Sequence, residues 1–293
     1  MLEKKYILKV DNCKICNKTG TSFFTKKYSD HLFKLFFEDF YGLSNTTGLV
    51  KKLNNVDYEL MRCNSCSFVW QKAQPVNELT SYLYEKVIDK DKSFLKSELV
   101  FKKNKKKFKD ELKLIINFLK KKELNVLDYG AGWGSWLKSI DLGNVELYGC
   151  ELSNDRNEYL KKFNIKTFDI KKLNDYENFF DYIRLEQVLE HLTDINECLS
   201  LLKFISKKEI IVDVSVPNGK EFTQGGIPKK ISKGPVQPLE HVNCFSNKSL
   251  KKLFDYYGFR PLSLFDIISI YSKNTFYNLA NIKFLFKNIF NYF

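Results

Sequence analysis

Val126-Leu127-Asp128-Tyr129-Gly130-Ala131-Gly132-Trp133-Gly134 is an apolar strand running into a turn with glycine at every second position, and Glu151 follows 21 residues after Gly130. Glycine lets the backbone turn sharply and approach a ligand closely, and an acid that closes the next strand can accept both hydroxyl hydrogens of a ribose. This spacing points to an adenosine-containing ligand. It also discriminates among such ligands. A dinucleotide fingerprint, G-x-G-x-x-G, aims a helix N-terminus at a pyrophosphate. Here the third glycine arrives one residue early, as Gly134, and Asp128 stands just before the turn, where a carboxylate repels a pyrophosphate and suits a cation.

On either side of this turn, short apolar runs alternate with helical stretches. The spacing predicts strands over 125–129, 146–150, 165–168, 181–185 and 209–216, with a last, antiparallel strand over 260–270. Such alternation implies crossover connections and a mostly parallel sheet with helices on both faces. From Ser93 to Glu123 apolar residues recur at helical spacing among lysines, which predicts one or two amphipathic helices leading into the sheet. Residues 217–238 carry Gly219, Gly225, Gly226, Pro228, Gly234, Pro235 and Pro238, too broken for regular structure. Because they follow the C-terminal end of a predicted strand, they are the candidate substrate loop, the alternative being a surface insertion.

The segment Leu127–Gly134 together with Glu151 resembles motifs I and II of class I S-adenosylmethionine (SAM)-dependent methyltransferases. Phe180-Asp181-Tyr182-Ile183-Arg184-Leu185 and the following Glu186-Gln187-Val188-Leu189-Glu190-His191-Leu192-Thr193-Asp194 are similar to that superfamily's fourth strand and its sequel. The resemblance implies an α/β, Rossmann-like, doubly wound, mostly parallel sheet of seven strands. It implies that Asp128 and the backbone of Gly130, Ala131 and Gly132 hold the methionine end of SAM and that Glu151 holds the ribose. Leu152 would flank the adenine, Asp169 would meet its amino group, and Glu186 or Gln187 would lie near the methionine amino group.

Cys13-Lys14-Ile15-Cys16 and Cys63-Asn64-Ser65-Cys66 have the spacing that puts two thiolates on one side of a turn, and two such turns complete a tetrahedral four-cysteine site. A closed sphere of four thiolates leaves no open position, so Zn2+ held by Cys13, Cys16, Cys63 and Cys66 would be structural. The rival reading, a redox C-x-x-C, needs no second pair. Cys150, Cys198 and Cys244 read as ordinary thiols. The N-terminal region would have a thin core without its metal. Met61–Trp70, followed by Pro75 and Tyr82-Leu83-Tyr84, is similar to zinc-bearing methyltransferases of deoxysugar and surface-polysaccharide pathways, which gives Tyr82 and Tyr84 a substrate-contact role beside their reading as packing.

Glu240-His241 with Phe245-Ser246 resembles the E-H-x-x-x-F-S element of sugar C-methyltransferases, in which the histidine acts as base and the glutamate helps hold the substrate. A carboxylate near an imidazole would raise its basicity and orient its ring. Two departures bear on carbon methylation: the family's upstream tyrosine falls at Pro238, and the family's C-terminal domain is not in the sequence. Of the other histidines, His191 is placed after Glu190 on the helix following the fourth strand, and His31 reads as a surface or packing residue.

The expected organisation is a zinc-binding domain over 1–85, a helical connector over 86–123, a methyltransferase domain over 124–274 and an amphipathic tail over 275–293. The tail could lie on an anionic membrane, on the protein's own core or on a partner. The net charge of +13 invites a nucleic-acid reading, but only four of the 48 basic residues are arginine, the residue that bidentate phosphate and base recognition favours. The absence of an apolar run of about 18 residues and of an apolar stretch after Met1-Leu2-Glu3-Lys4-Lys5 reads as cytoplasmic. The expected activity is SAM-dependent methylation of a small molecule, a nucleotide-activated sugar. The alternatives are a zinc-containing RNA methyltransferase and a non-catalytic adapter on the same fold.

Overall fold

The computed structural model describes residues 6–263 and Asp266. In chain order the first elements are β1 (Ile7–Lys9), β2 (Gly20–Lys27), α1 (His31–Tyr41), α2 (Leu43–Lys52), β3 (Asp57–Cys63), β4 (Val69–Gln71), β5 (Ala73–Pro75) and α3 (Asn77–Tyr82). Helix α1 starts where the Asp30 carboxylate accepts from Leu32 N at 2.9 Å and ends where Gly42 adopts φ 89°. Its Phe33, Phe36, Phe37 and Tyr41 recur at helical spacing and face inward.

Next come α4 (Lys90–Leu119), β6 (Leu124–Tyr129), β7 (Val145–Cys150), α5 (Asn154–Lys161), β8 (Lys166–Thr167), β9 (Phe180–Glu186), α6 (Ile195–Ile205) and β10 (Ser206–Ser215). The sheet order is β10-β9-β6-β7-β8, and β6 runs parallel to both β7 and β9, with Asp128 opposite Gly149 on one side and Arg184 on the other. Among the described residues this sheet has five strands, against seven expected. Each of the five predicted strands is found, the ends at Tyr129 and Cys150 as expected and the others shifted by one to three residues. The two-residue β8 is shorter than expected, and the predicted helical lead-in is a single helix of 30 residues. Residues 260–263 carry no strand, and the rest of that expected strand, like the tail 275–293, lies almost wholly outside the described residues.

The chain then forms the one-turn α7 (Lys220–Thr223), β11 (Asn243–Cys244) and α8 (Asn247–Tyr256). Two compact units result. One takes in the described residues up to Ser93 with Gln187–Leu199 and Ser215–Leu253; the other takes in Phe94–Glu186, Ser200–Val214 and the described residues from Phe254 on.

In the first unit, β11, β4, β3 and β2 form an antiparallel sheet in that order. The expectation of a thin N-terminal core is not met. Tyr28, Phe33, Phe37, Leu49, Leu53, Tyr58, Leu60 and Leu79 are fully buried, and Tyr28, Phe33 and Tyr58 interlock with ring centroids 4.8–5.8 Å apart. All of these but Leu79 lie between the two cysteine pairs, and Val236, Leu239 and Cys244 join them from later in the chain. In the second unit Val126, Leu137, Leu160, Ile165 and Tyr182 form the core with Leu112 of α4.

Candidate active site and four-cysteine cluster

In the second unit the glycine turn leaves β6 with Gly130, Gly132 and Gly134 at φ 82°, 57° and 69°, the left-handed region that side chains resist. Gly130 N and Ala131 N both donate to Cys150 O, at 2.9 and 3.1 Å, which fastens the turn to the end of β7. A Cβ at Gly134 would collide with Leu160, and one at Gly149 would lie 2.7 Å from it, so the two glycines admit α5 against the turn. Glu151 stands at the turn's mouth. Its Oε2 accepts from Gly132 N at 2.8 Å and lies 3.4 Å from Arg156 Nη1, and its Oε1 accepts from Leu152 N at 3.0 Å. Leu152 is 90 % exposed. Asp169 is half-buried, and its carboxylate caps the turn that follows by accepting from Lys171 N at 3.0 Å.

Asp128 is buried, and burial pushes its carboxyl up to about 6, against the pull of Arg184. Arg184 was not singled out from the sequence. Its Nη1 is 3.3 Å from Asp128 Oδ1, its Nη2 is 3.2 Å from Glu186 Oε2, and its guanidinium lies 5.1 Å from the Trp136 ring centre. The carboxylates Asp128, Glu151 and Glu186 at the C-terminal ends of β6, β7 and β9 are thus each engaged by an arginine or a backbone N–H. This donor set fits a ligand with one cationic end and a ribose.

In the first unit the two C-x-x-C turns are copies of one another. Asn17 N donates to Cys13 O at 2.8 Å and Ser67 N to Cys63 O at 3.1 Å; Cys13 N donates to Lys18 O and Cys63 N to Phe68 O; Asn17 and Ser67 both adopt left-handed φ, at 54° and 61°. The four sulfurs converge within 4.8 Å of one another, with Cys13–Cys66 at 3.5 Å, Cys16–Cys63 at 3.4 Å and Cys16–Cys66 at 3.7 Å. Four thiolates on one zinc ion at about 2.3 Å stand about 3.8 Å apart, so the donor set fits. A shared hydrogen bond pulls the Cys66 thiol down to about 5 and pushes Cys13 up. Between the first two cysteines, Lys14 donates to Gln74 Oε1 at 2.7 Å and Asn243 Oδ1 at 2.9 Å, and burial lowers its ammonium to about 7.

Residues 234–243 belong to this same unit. Gln71 Nε2 donates to Gln237 O at 2.6 Å and His241 O at 2.9 Å, and Tyr58 donates its hydroxyl to Val236 O. Glu240 Oε1 accepts from Tyr41 Oη and, at 2.9 Å, from Gln237 Nε2. Burial raises Glu240 and both donors oppose it. His241 is half-buried, and its orienting partner is the Gly234 carbonyl, 2.5 Å from Nδ1. A carbonyl only accepts, so Nδ1 carries the proton and Nε2 keeps its lone pair. Burial lowers the His241 imidazole, which is therefore neutral near pH 7.

His191 stands beside His241, with ring centroids 4.8 Å apart. It is not on a helix. Residues 187–194 form turns, because Gln187 enters the left-handed region at φ 56° and Asp194 delays the helix start by accepting from Asn196 N and Glu197 N. Gln187 itself is exposed, and its N–H donates to Ser215 O at 2.8 Å. His191 is pulled down to about 3 by burial first and by His241 second. His31 is exposed at the start of α1. Tyr82 packs against the aromatic core with Lys52 Nζ 5.0 Å from its ring centre. The Cys150 and Cys244 thiols are each pushed up to about 12 by burial, as inert thiols are.

No curated protein matches the sequence. Solved structures that match part of the chain include the plantazolicin methyltransferase BpumL in complex with a monoazolic desmethylPZN analogue and SAH, with 19 % identity, a TM-score of 0.44, and 64 % of this chain and 80 % of that one covered. A SAM-dependent methyltransferase from Aquifex aeolicus is 18 % identical, with a TM-score of 0.39 and coverage of 57 % and 88 %. The YcgJ protein from Bacillus subtilis is 18 % identical, with a TM-score of 0.28, over 34 % of this chain; the chain spans about half of that protein, 48 %. No helix among the described residues is long and apolar enough to cross a membrane. The family profile described as "Methyltransferase domain" matches residues 101–264, more than half of the chain, so the chain belongs to that family.

Proposed function

We propose that the chain transfers a methyl group from SAM to a small molecule, a nucleotide-activated sugar, with His241 as general base. The observation that carries the cofactor is the glycine turn with Gly132 N on Glu151 and with Asp128 buried before it. SAM supplies a methyl group on a sulfonium whose positive charge disappears in the transition state, so the protein's work is positioning and proton removal. Asp128 and the backbone of Gly130, Ala131 and Gly132 hold the methionine end, with Glu186 and Gln187 near its amino group. Glu151 takes the ribose, Leu152 covers the adenine and Asp169 meets its amino group.

His241 receives the acceptor's proton at Nε2, the nitrogen left free by the bond from Nδ1 to Gly234. Glu240, fixed by Tyr41 and Gln237, orients the acceptor by accepting a hydroxyl hydrogen bond. Zinc on Cys13, Cys16, Cys63 and Cys66 holds the two turns that anchor this unit. The segment 275–293 gives the protein a peripheral contact with an anionic membrane from the cytoplasmic side. The arginine-poor surface speaks against RNA as the acceptor.

The test is transfer of labelled methyl from SAM into fractionated cell extract, nucleotide sugars against total RNA, by the native protein and by His241→Ala. Label in the sugar fraction that His241→Ala abolishes is the expected result. Label in RNA overturns the sugar reading, and SAM binding without transfer to any fraction favours the adapter.

A further inference from the structure

We infer that Glu190, His191 and His241 form a binding site for a divalent transition-metal cation, distinct from the four-cysteine cluster. One carboxylate oxygen and one ring nitrogen from each histidine lie within 4.8 Å of one another. Glu190 is 1 % exposed, and its Oε1 is 4.0 Å from His191 Nε2, beyond hydrogen-bond range. Donors sharing a cation at about 2.1 Å stand about 3.0–3.4 Å apart, so side-chain rotations that close the set by about 1–2 Å complete it.

Three observations favour a cation over plain packing. The Glu240 main chain is the polar group beside the His191 ring, and the buried Nδ1 of that ring is left unsatisfied, whereas buried polar atoms in folded proteins have partners. His241 gives its Nδ1 hydrogen to the Gly234 carbonyl, the outer hydrogen bond that metal-ligating histidines make while the other nitrogen faces the ion. The backbone is also held on both sides of the cluster: Asn243 N donates to Glu190 O at 3.1 Å, and Asn243 Nδ2 donates to Leu189 O and Leu192 O at 2.8 and 2.7 Å. Two imidazoles and a carboxylate suit zinc, cobalt, iron or manganese, and three protein donors leave coordination positions for water or a ligand oxygen.

His241 Nε2 has one lone pair. On the reading of His241 as base, cation occupancy withdraws that lone pair, so the metal inhibits methyl transfer.

Cobalt(II) distinguishes the two metal sites, because thiolate ligation gives intense sulfur-to-metal charge transfer whereas nitrogen and oxygen ligation gives only weak visible bands. The full chain, with zinc already on its four cysteines, is titrated with Co2+. The expected result is one equivalent bound with weak visible bands and no thiolate charge transfer, with affinity at least about tenfold lower in Glu190→Gln and in His191→Ala, a loss that even an outer-shell partner can cause. Absence of saturable binding to the native chain overturns the site, as does unchanged affinity in both variants. Methyl transfer falling in step with cobalt occupancy supports the inhibitory role. Full transfer at saturating cobalt leaves the metal site standing and overturns the base role of His241.

Discussion

Arg184 Nη1 lies 3.3 Å from Asp128 Oδ1, and both residues belong to neighbouring parallel strands where the glycine turn begins. A largely buried guanidinium beside a buried carboxylate opposes the desolvation that would otherwise leave Asp128 protonated. Arg184→Met is expected to destabilise the fold by about 3 kcal/mol, because removing one member of a buried pair strands the other. It should also weaken SAM binding by driving Asp128 towards its neutral form. Thermal melting and calorimetric titration measure the two effects separately.

Asp128 also sets a pH dependence. Its folded value, about 6, is above the ordinary 3.8, so the folded protein holds this proton more tightly than the unfolded chain. The stability it contributes is fully present below pH 3.8 and is lost as pH rises through about 6. Cofactor binding runs the other way, since a cationic methionine end needs the ionised carboxylate. SAM affinity should fall as pH drops below about 6, approaching tenfold per pH unit, and in Asp128→Asn that pH dependence should vanish along with most of the affinity.

Gly134 combines φ 69° with a side-chain position filled by Leu160. Gly134→Ala is expected to cost at least about 1–2 kcal/mol in backbone strain alone, with the collision added, and Leu160→Ala in the same chain should relieve the second part only. Chemical denaturation of the single and double variants measures the coupling.

Zinc content offers a further check. The purified chain should hold one zinc ion released by a thiol-directed reagent, and Cys66→Ser should lose it together with the first unit's cooperative melting. Retained folding without metal would assign the aromatic core of Tyr28, Phe33, Phe37 and Tyr58 the whole task of holding that unit.

Tyr41→Phe removes a hydroxyl donor from the buried Glu240 carboxylate, and hydrogen bonds to charged groups contribute about 2 kcal/mol. The expected outcome is a loss of that order in stability and a higher KM for the acceptor with less effect on kcat. An unchanged KM would remove Glu240 from the acceptor site.

The sheet was legible because period and punctuation agreed: apolar runs of strand length end at glycines or acids that also fit a ligand site. The cysteine turns were legible for the same local reason. Residues joined over long sequence separations were not. Tyr41 and Glu240 lie 199 positions apart, and nothing in the helix pattern of α1 marks its last aromatic residue as a partner for a later acid. Arg184 reads as an interruption of an apolar strand, and its partner becomes visible only once β9 lies in register with β6. The expected helix at His191 failed because apolar spacing in Val188-Leu189-Glu190-His191-Leu192 mimics a helical face, whereas the left-handed Gln187 and the Asp194 cap decide the backbone. The strand Asn243–Cys244 is too short to show a period, and its pairing with β4 rests on Trp70 and Val69 opposite it.

If the turn at Gly130–Gly134 with Glu151 is the SAM site, calorimetric titration of SAM into the native chain and into Glu151→Ala at pH 7.5 reports it. One site per chain, weakened at least about tenfold in the variant by loss of the ribose hydrogen bonds, is the predicted result. Equal affinity in both proteins, or no binding to the native chain, would contradict it.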